Sequence, residues 1–275
     1  MRVLRMLAGS IVVASSLLIP LTCAAQDDPF SPPGTDTVGL VRDEARGRWW
    51  ISDRGENAVF YIADADLDAD PDAEWERYVD GVNPMFGDVN PGPIAMSGTI
   101  LWLVLEQRDT AHIVSIETSG PRPVKVGPRI EIPAAARRRP PSITGLAWDG
   151  DHLWLVTACG LCSTLFKIDP TTGDELFSVF PGCDARGLTF VRNGTGYKGD
   201  LWIVAYNGPR KRPLFSRRRI GGSPSRTTSS QEYFRLGERD RHPDEPAVIA
   251  RHAYKFWVLD RDENLIKPYE ARDLS

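Results

Sequence analysis

The chain has 275 residues, 41% hydrophobic, 25% charged and 9% aromatic, with 33 basic and 37 acidic side chains and a net charge of -4. This is the composition of a folded globular protein, and it excludes collagen-like, coiled-coil and disordered classes. The near-balance of charge also excludes the broad basic field that specific nucleic-acid binding requires.

The chain opens with Arg2 and Arg5, followed by the apolar run Met6 to Leu21 and then Cys23-Ala24-Ala25. A basic start, an apolar run and small residues before a polar Gln26 are the pattern of a secretory signal peptide, residues 1-25, cleaved after Ala25. At about 1.5 Å per residue the run falls short of the roughly 30 Å hydrocarbon layer. No transmembrane anchor is therefore expected after cleavage, with a retained anchor and lipidation of Cys23 as the alternatives. The expected location is secreted or periplasmic, where disulfides persist. Three of the four cysteines, Cys159, Cys162 and Cys183, belong to the mature chain. An odd count allows one internal pair, expected between Cys159 or Cys162 and Cys183, with Cys159 to Cys162 as the next choice. A short extension, 26-36, precedes the first repeat.

From residue 37 to 275 the chain reads as a single repetitive domain. Trp50, Trp102, Trp154, Trp202 and Trp257 each sit in a short apolar strand, at spacings of 52, 52, 48 and 55 residues. Eight to fourteen residues before each lies a second apolar pair with small neighbours: Gly39-Leu40, Pro93-Ile94, Gly145-Leu146, Gly187-Leu188 and Ala247-Val248. A third strand follows each Trp and in several units a fourth, as at Val124 to Ile132 and Glu175 to Phe180. Asp53-Arg54-Gly55-Glu56-Asn57 and Asp260-Arg261-Asp262-Glu263-Asn264 agree at four of five positions at the same offset from Trp. A period of about fifty residues with four short strands per unit predicts an all-β fold, a β-propeller of about five four-stranded antiparallel blades. In it the small residue of each first strand allows the inner strands to converge, and each Trp fills the wider gap between sheets. The fifth unit shows three clear strands before Ser275, so it is either three-stranded or irregularly closed. The segment Asp27 to Asp36 could supply an outer strand, but Pro29, Pro32 and Pro33 make it a poor one.

The run Ile143-Thr144-Gly145-Leu146-Ala147-Trp148-Asp149-Gly150-Asp151-His152-Leu153-Trp154, continuing from Ser163 to Leu176, resembles the repeat of secreted bacterial propellers of the NHL-like and YncE-like group. It is also similar to a blade of the five-bladed glutaminyl cyclotransferases. The resemblance implies a five-bladed propeller. It does not extend to the cyclotransferase carboxylates: their places hold Thr144-Gly145-Leu146-Ala147, and Arg186 before Gly187-Leu188.

In a propeller, the loops entering first strands and leaving second strands share the top face around the axis. This gathers Asp53, Arg54, Glu106, Arg108, Asp184, Arg186, Glu245, Asp260 and Arg261 into one polar mouth. Such a mouth is expected to bind a small ligand, a cation such as Ca²⁺ through carboxylate oxygens, or a protein partner. No other cofactor is expected, and a monomer is. The alternative is a propeller enzyme, a cyclotransferase, lyase or lactonase, with Glu106 as the candidate acid or base. The acidic run Asp64 to Glu74 lacks the glycine and distal Glu of a calcium loop and is expected to be a hairpin tip on the opposite face. The basic stretch Gly208 to Arg226 is expected to form, in part, a flexible insertion in the fourth unit.

Overall fold

A computed structural model of the chain describes residues 28–70, 72–80, 90–107, 110–132, 142–158, 163–181, 184–192, 199–207, 212–220, 227–234, 246–252 and 255–270. The proposed signal peptide and all three mature cysteines lie outside the described residues, so neither cleavage nor the disulfide is shown. No helix among the described residues is long and apolar enough to cross a membrane.

The strands form five antiparallel sheets, each in simple up-and-down order. Blade 1 contains β1 (Thr37–Asp43), β2 (Arg48–Asp53), β3 (Ala58–Ala63) and β4 (Glu76–Asp80). Blade 2 contains β5 (Asn90–Ser97), β6 (Ile100–Gln107), β7 (Thr110–Glu117) and β8 (Val124–Glu131). Blade 3 contains β9 (Ser142–Trp148), β10 (Leu153–Ala158), β11 (Ser163–Ile168) and β12 (Glu175–Val179). Blade 4 contains β13 (Asp184–Arg192), β14 (Gly199–Asn207), β15 (Arg212–Ile220) and β16 (Thr227–Phe234). Blade 5 has three strands, β17 (Pro246–His252), β18 (Lys255–Asp260) and β19 (Leu265–Glu270). The first strands touch in the closed order β1, β5, β9, β13, β17 and back to β1. This is a five-bladed β-propeller.

The core lies between the blades. Each repeat Trp joins the apolar cluster shared with the following blade: Trp50 with Ile94 and Leu103, Trp102 against Leu146 and Leu155, Trp154 with Leu188 and Ile203. Trp202 packs with Ile249 and Val258, and Trp257 closes the circle against Leu40 and Ile51. Four of the five are 5% exposed or less, so each removes one of the largest apolar surfaces in the chain from water.

The small residues of the first strands answer a close approach between neighbours. A Cβ on Gly145 would come within 2.7 Å of the Leu188 Cβ and 2.8 Å of its backbone nitrogen. One on Gly39 would meet the Ile94 backbone at 2.8 Å. The crowding is therefore against the next blade's first strand as well as the blade's own second strand, where Ser52 Oγ lies 2.4 Å from a Cβ on Gly39. Every inner pairing also slips register near this point, between Thr37 and Gly39, Pro91 and Ile94, Val156 and Thr157, Ala185 and Gly187, and Pro246 and Ile249. Bulges of this kind bend a strand and re-aim its side chains.

The fifth blade gains its outer partner from the chain start. Phe30 N–H donates to the Ile266 carbonyl at 3.1 Å, and Ile266 N–H donates to the Phe30 carbonyl at 2.9 Å. The prolines limit this pairing to one bridge. The side chain does the rest: Phe30 is 1% exposed, with ring centroids 5.5 Å from Trp49, 5.4 Å from Trp257 and 6.0 Å from Trp75.

One local expectation needs correction. The acidic run after β3 is not a hairpin tip throughout. Asp64–Ala69 is a short helix, α1, because Leu67 turns into the cluster between blades 5 and 1 and Asp64 pairs with Arg42. Within the basic stretch, residues 212–220 form β15, which contains the third strand expected at Leu214 to Ser216, and Arg217 lies 5.8 Å from the Trp202 ring. Residues 208–211 and 221–226 lie outside the described residues.

Candidate functional site

The five positions four residues beyond each Trp are Arg54, Glu106, Ala158, Tyr206 and Arg261 in blades 1 to 5. Pairing confirms that they share one end of the barrel of blades: Glu106 lies opposite Asn90, Ala158 opposite Ser142 and Tyr206 opposite Asp184, all at the start of a first strand. Fold symmetry thus brings Arg54 and Glu106 to one mouth. Arg54 Nη2 donates to Glu106 Oε2 at 2.7 Å, a charge-assisted bond joining blades 1 and 2. The pair is partly screened, with side chains 28% and 21% exposed.

Glu106 sits at the junction of three blades. Burial raises its carboxyl above the ordinary range, and the opposing pull of Arg54 and of the Ile143 backbone amide in blade 3 does not restore it. Its Oε1 is buried and has no hydrogen-bond partner among the described residues. An acceptor in that state calls for a donor from elsewhere.

The other sequence candidates distribute around this pair. Asp53 is fully buried and holds a turn: its Oδ2 accepts from the Asp36 N–H at 3.2 Å and the Thr37 hydroxyl at 3.1 Å, and Oδ1 accepts from the Glu56 N–H at 2.9 Å. Asp260, its counterpart in blade 5, is 2% exposed and accepts from Lys267 Nζ at 3.2 Å. Arg261 reaches Asp36 at 3.6 Å on the rim. Arg186 occupies the bulge of β13 and is half-buried. Asp184 begins β13, while Arg108 and Glu245 lie outside the described residues. Among the described residues no group of three or more His, Cys, Asp or Glu side chains is placed to hold a metal ion.

A second opening lies on the same axis at the opposite end, where first strands turn into second strands. It holds a cavity of about 330 Å³ walled by all five first strands, including Leu40, Ile94, Leu146, Leu188 and Ala250. Sequence reasoning passed over this end. Reading the strand-end ring directly would have exposed it: the position two residues after Leu40, Ile94, Leu146 and Leu188 holds Arg42, Met96, Trp148 and Phe190, and blade 5 supplies Arg251 opposite Phe256.

No family model matches the chain, and no curated protein sequence matches it. Solved structures do. Glutaminyl cyclase from Myxococcus xanthus superposes with a TM-score of 0.53 at 11% identity, over 89% of this chain and 94% of that one. A chain of a nidogen/laminin complex gives 0.50 at 13% identity, over 82% and 72%. The PQQ-bound aldose sugar dehydrogenase from Streptomyces coelicolor gives 0.47 at 15%, over 88% and 95%. At 11% and 13% identity the likeness to the first two is one of fold, and it agrees with the propeller derived from the repeat.

Proposed function

We propose that the protein is an exported propeller that binds a small polar ligand at its top mouth, with Glu106 as the principal anchor. The supporting observation is the state of that carboxyl: one oxygen is held by Arg54, the other is buried with no hydrogen-bond partner among the described residues, and burial raises its proton affinity against the pull of Arg54 and the Ile143 amide. A ligand amine, amide or hydroxyl would satisfy Oε1, and Arg54 would hold the carboxylate in place. Export would place the chain where a disulfide from Cys159 or Cys162 to Cys183 can persist.

The raised Glu106 carboxyl also favours a second reading, an enzyme that uses it to move a proton. Both readings meet in one experiment. A short peptide with N-terminal glutamine, free amino-acid amides and monosaccharides are titrated into the protein and followed by calorimetry, and the peptide is then examined by mass spectrometry. Binding of one of these that Glu106→Gln removes, without change in the ligand, supports the binding reading. Loss of ammonia from the peptide, absent with Glu106→Gln, supports the enzyme. Binding that survives Glu106→Gln, or none in the whole set, overturns the assignment of Glu106.

A further inference from the structure

The cavity at the opposite end of the axis is independent of the Glu106 mouth and differs from it in chemistry. Its inner wall is apolar, made by Leu40, Ile94, Leu146 and Leu188 from four successive blades. Its outer ring is divided. Met96, Trp148 and Phe190 line the side formed by blades 2 to 4, whereas Arg42 and Arg251 line the side where blades 1 and 5 meet. A volume of about 330 Å³ lies at the lower end of the range of roughly 300–1,000 Å³ in which small-molecule sites fall.

Three observations indicate what such a space would accept. Arg42 is nearly buried, its side chain 4% exposed: it pairs with Asp64, donates Nη1 to the Asp43 carbonyl at 3.0 Å and lies 5.3 Å from the Trp49 ring, which leaves Nε with no hydrogen-bond partner among the described residues. Arg251 is a second cation on the same wall, its guanidinium 5.2 Å from the Phe256 ring. The third is a carboxylate that this corner already stabilises. Glu44, at the rim, takes His252 Nδ1 at 2.9 and 3.1 Å, and His252, Arg42 and Arg251 together hold its carboxyl below the ordinary range against the burial that opposes ionisation. Of the other acids near this wall, Asp64 is taken by Arg42, and Asp43 accepts from the Ala45 and Arg46 amides and the Arg46 guanidinium.

We propose that this cavity binds a small amphipathic carboxylate, with its hydrocarbon or aromatic part against the leucine wall and the Met96, Trp148 and Phe190 side, and its carboxylate towards Arg42 and Arg251. Burial of the apolar part supplies affinity without direction, and the guanidinium groups supply the orientation. Glu44 is then a resident competitor for the same positive field.

The test uses three near-isosteric probes on the intact protein: phenylpropanoate, phenylpropanol and phenylpropylamine, read by calorimetry. The acid is expected to bind at least about tenfold more tightly than the alcohol or the amine, as loss of a charge-assisted contact implies. Arg251→Gln removes that preference, Glu44→Gln tightens the acid, and Glu106→Gln at the far mouth leaves it unchanged. Equal binding of the three probes, no binding of the acid, a preference that persists in Arg251→Gln, or its loss in Glu106→Gln would each overturn the proposal. The comparison of probes on the unaltered chain holds even where a variant fails to fold.

Discussion

Single residues here carry either a turn or a charge balance, and the two are separable. Asn57 and Asn264 adopt φ of 51° and 53°, a left-handed conformation that Asn tolerates better than most residues. This explains why the two Asp-Arg-x-Glu-Asn loops end on the same residue, and that much was legible from their repetition. The role of Asp53 was not legible, because a carboxylate near a mouth reads as a ligand until its three donors are seen. His112 was equally silent in sequence. It is 3% exposed, and burial together with Arg129 and Lys125 lowers its pKa to about 4. The imidazole therefore stays neutral in the folded protein while an unfolded chain protonates near 6.5. Protons then favour the unfolded state, so His112 makes stability fall as the pH drops from about 6.5 to about 4. Urea midpoints measured across this window should fall less steeply for His112→Gln than for the parent chain.

Strands and their connections show where period alone suffices and where it does not. A Trp every fifty residues specifies the second strands, because a large ring fits only the wedge between diverging sheets. The glycines before Leu40, Leu146 and Leu188 were legible as a need for space where first strands converge; a Cβ there meets the adjacent first strand and also Ser52, Val156 or Val204 of the blade's own second strand. The outer partner of blade 5 was legible as a place, the segment Asp27 to Asp36, but not as a latch. Three prolines argue correctly against a long ladder, yet one bridge and one aromatic ring are enough. Pro268, opposite Trp257 on β19, also suits an edge that is barely paired. Phe30→Ala should cost roughly 3–5 kcal/mol, the usual penalty for emptying a buried aromatic site. A loss of under about 1 kcal/mol in urea unfolding, below the range for core aromatics, would mean that the ring is not the latch.

At the scale of the molecule, every hydrophobic cluster but none of the sheets is a complete unit. Each of the five clusters draws on two neighbouring blades, so no blade can leave without opening two of them. Unfolding should accordingly be a single transition, with tryptophan fluorescence and far-ultraviolet circular dichroism coinciding in urea. Separate curves would show that a blade detaches first. The ring itself was legible from five equivalent Trp residues. The contrast between its two ends was not, since it depends on which side chains each first strand presents as it leaves the hub. Phe30 and Ile266, which meet across the last seam, also set a schedule. A ribosome delivers Phe30 before any blade and Ile266 within the fifth, so the newborn chain must wait, with its first aromatic plug uncovered, until the last blade has emerged.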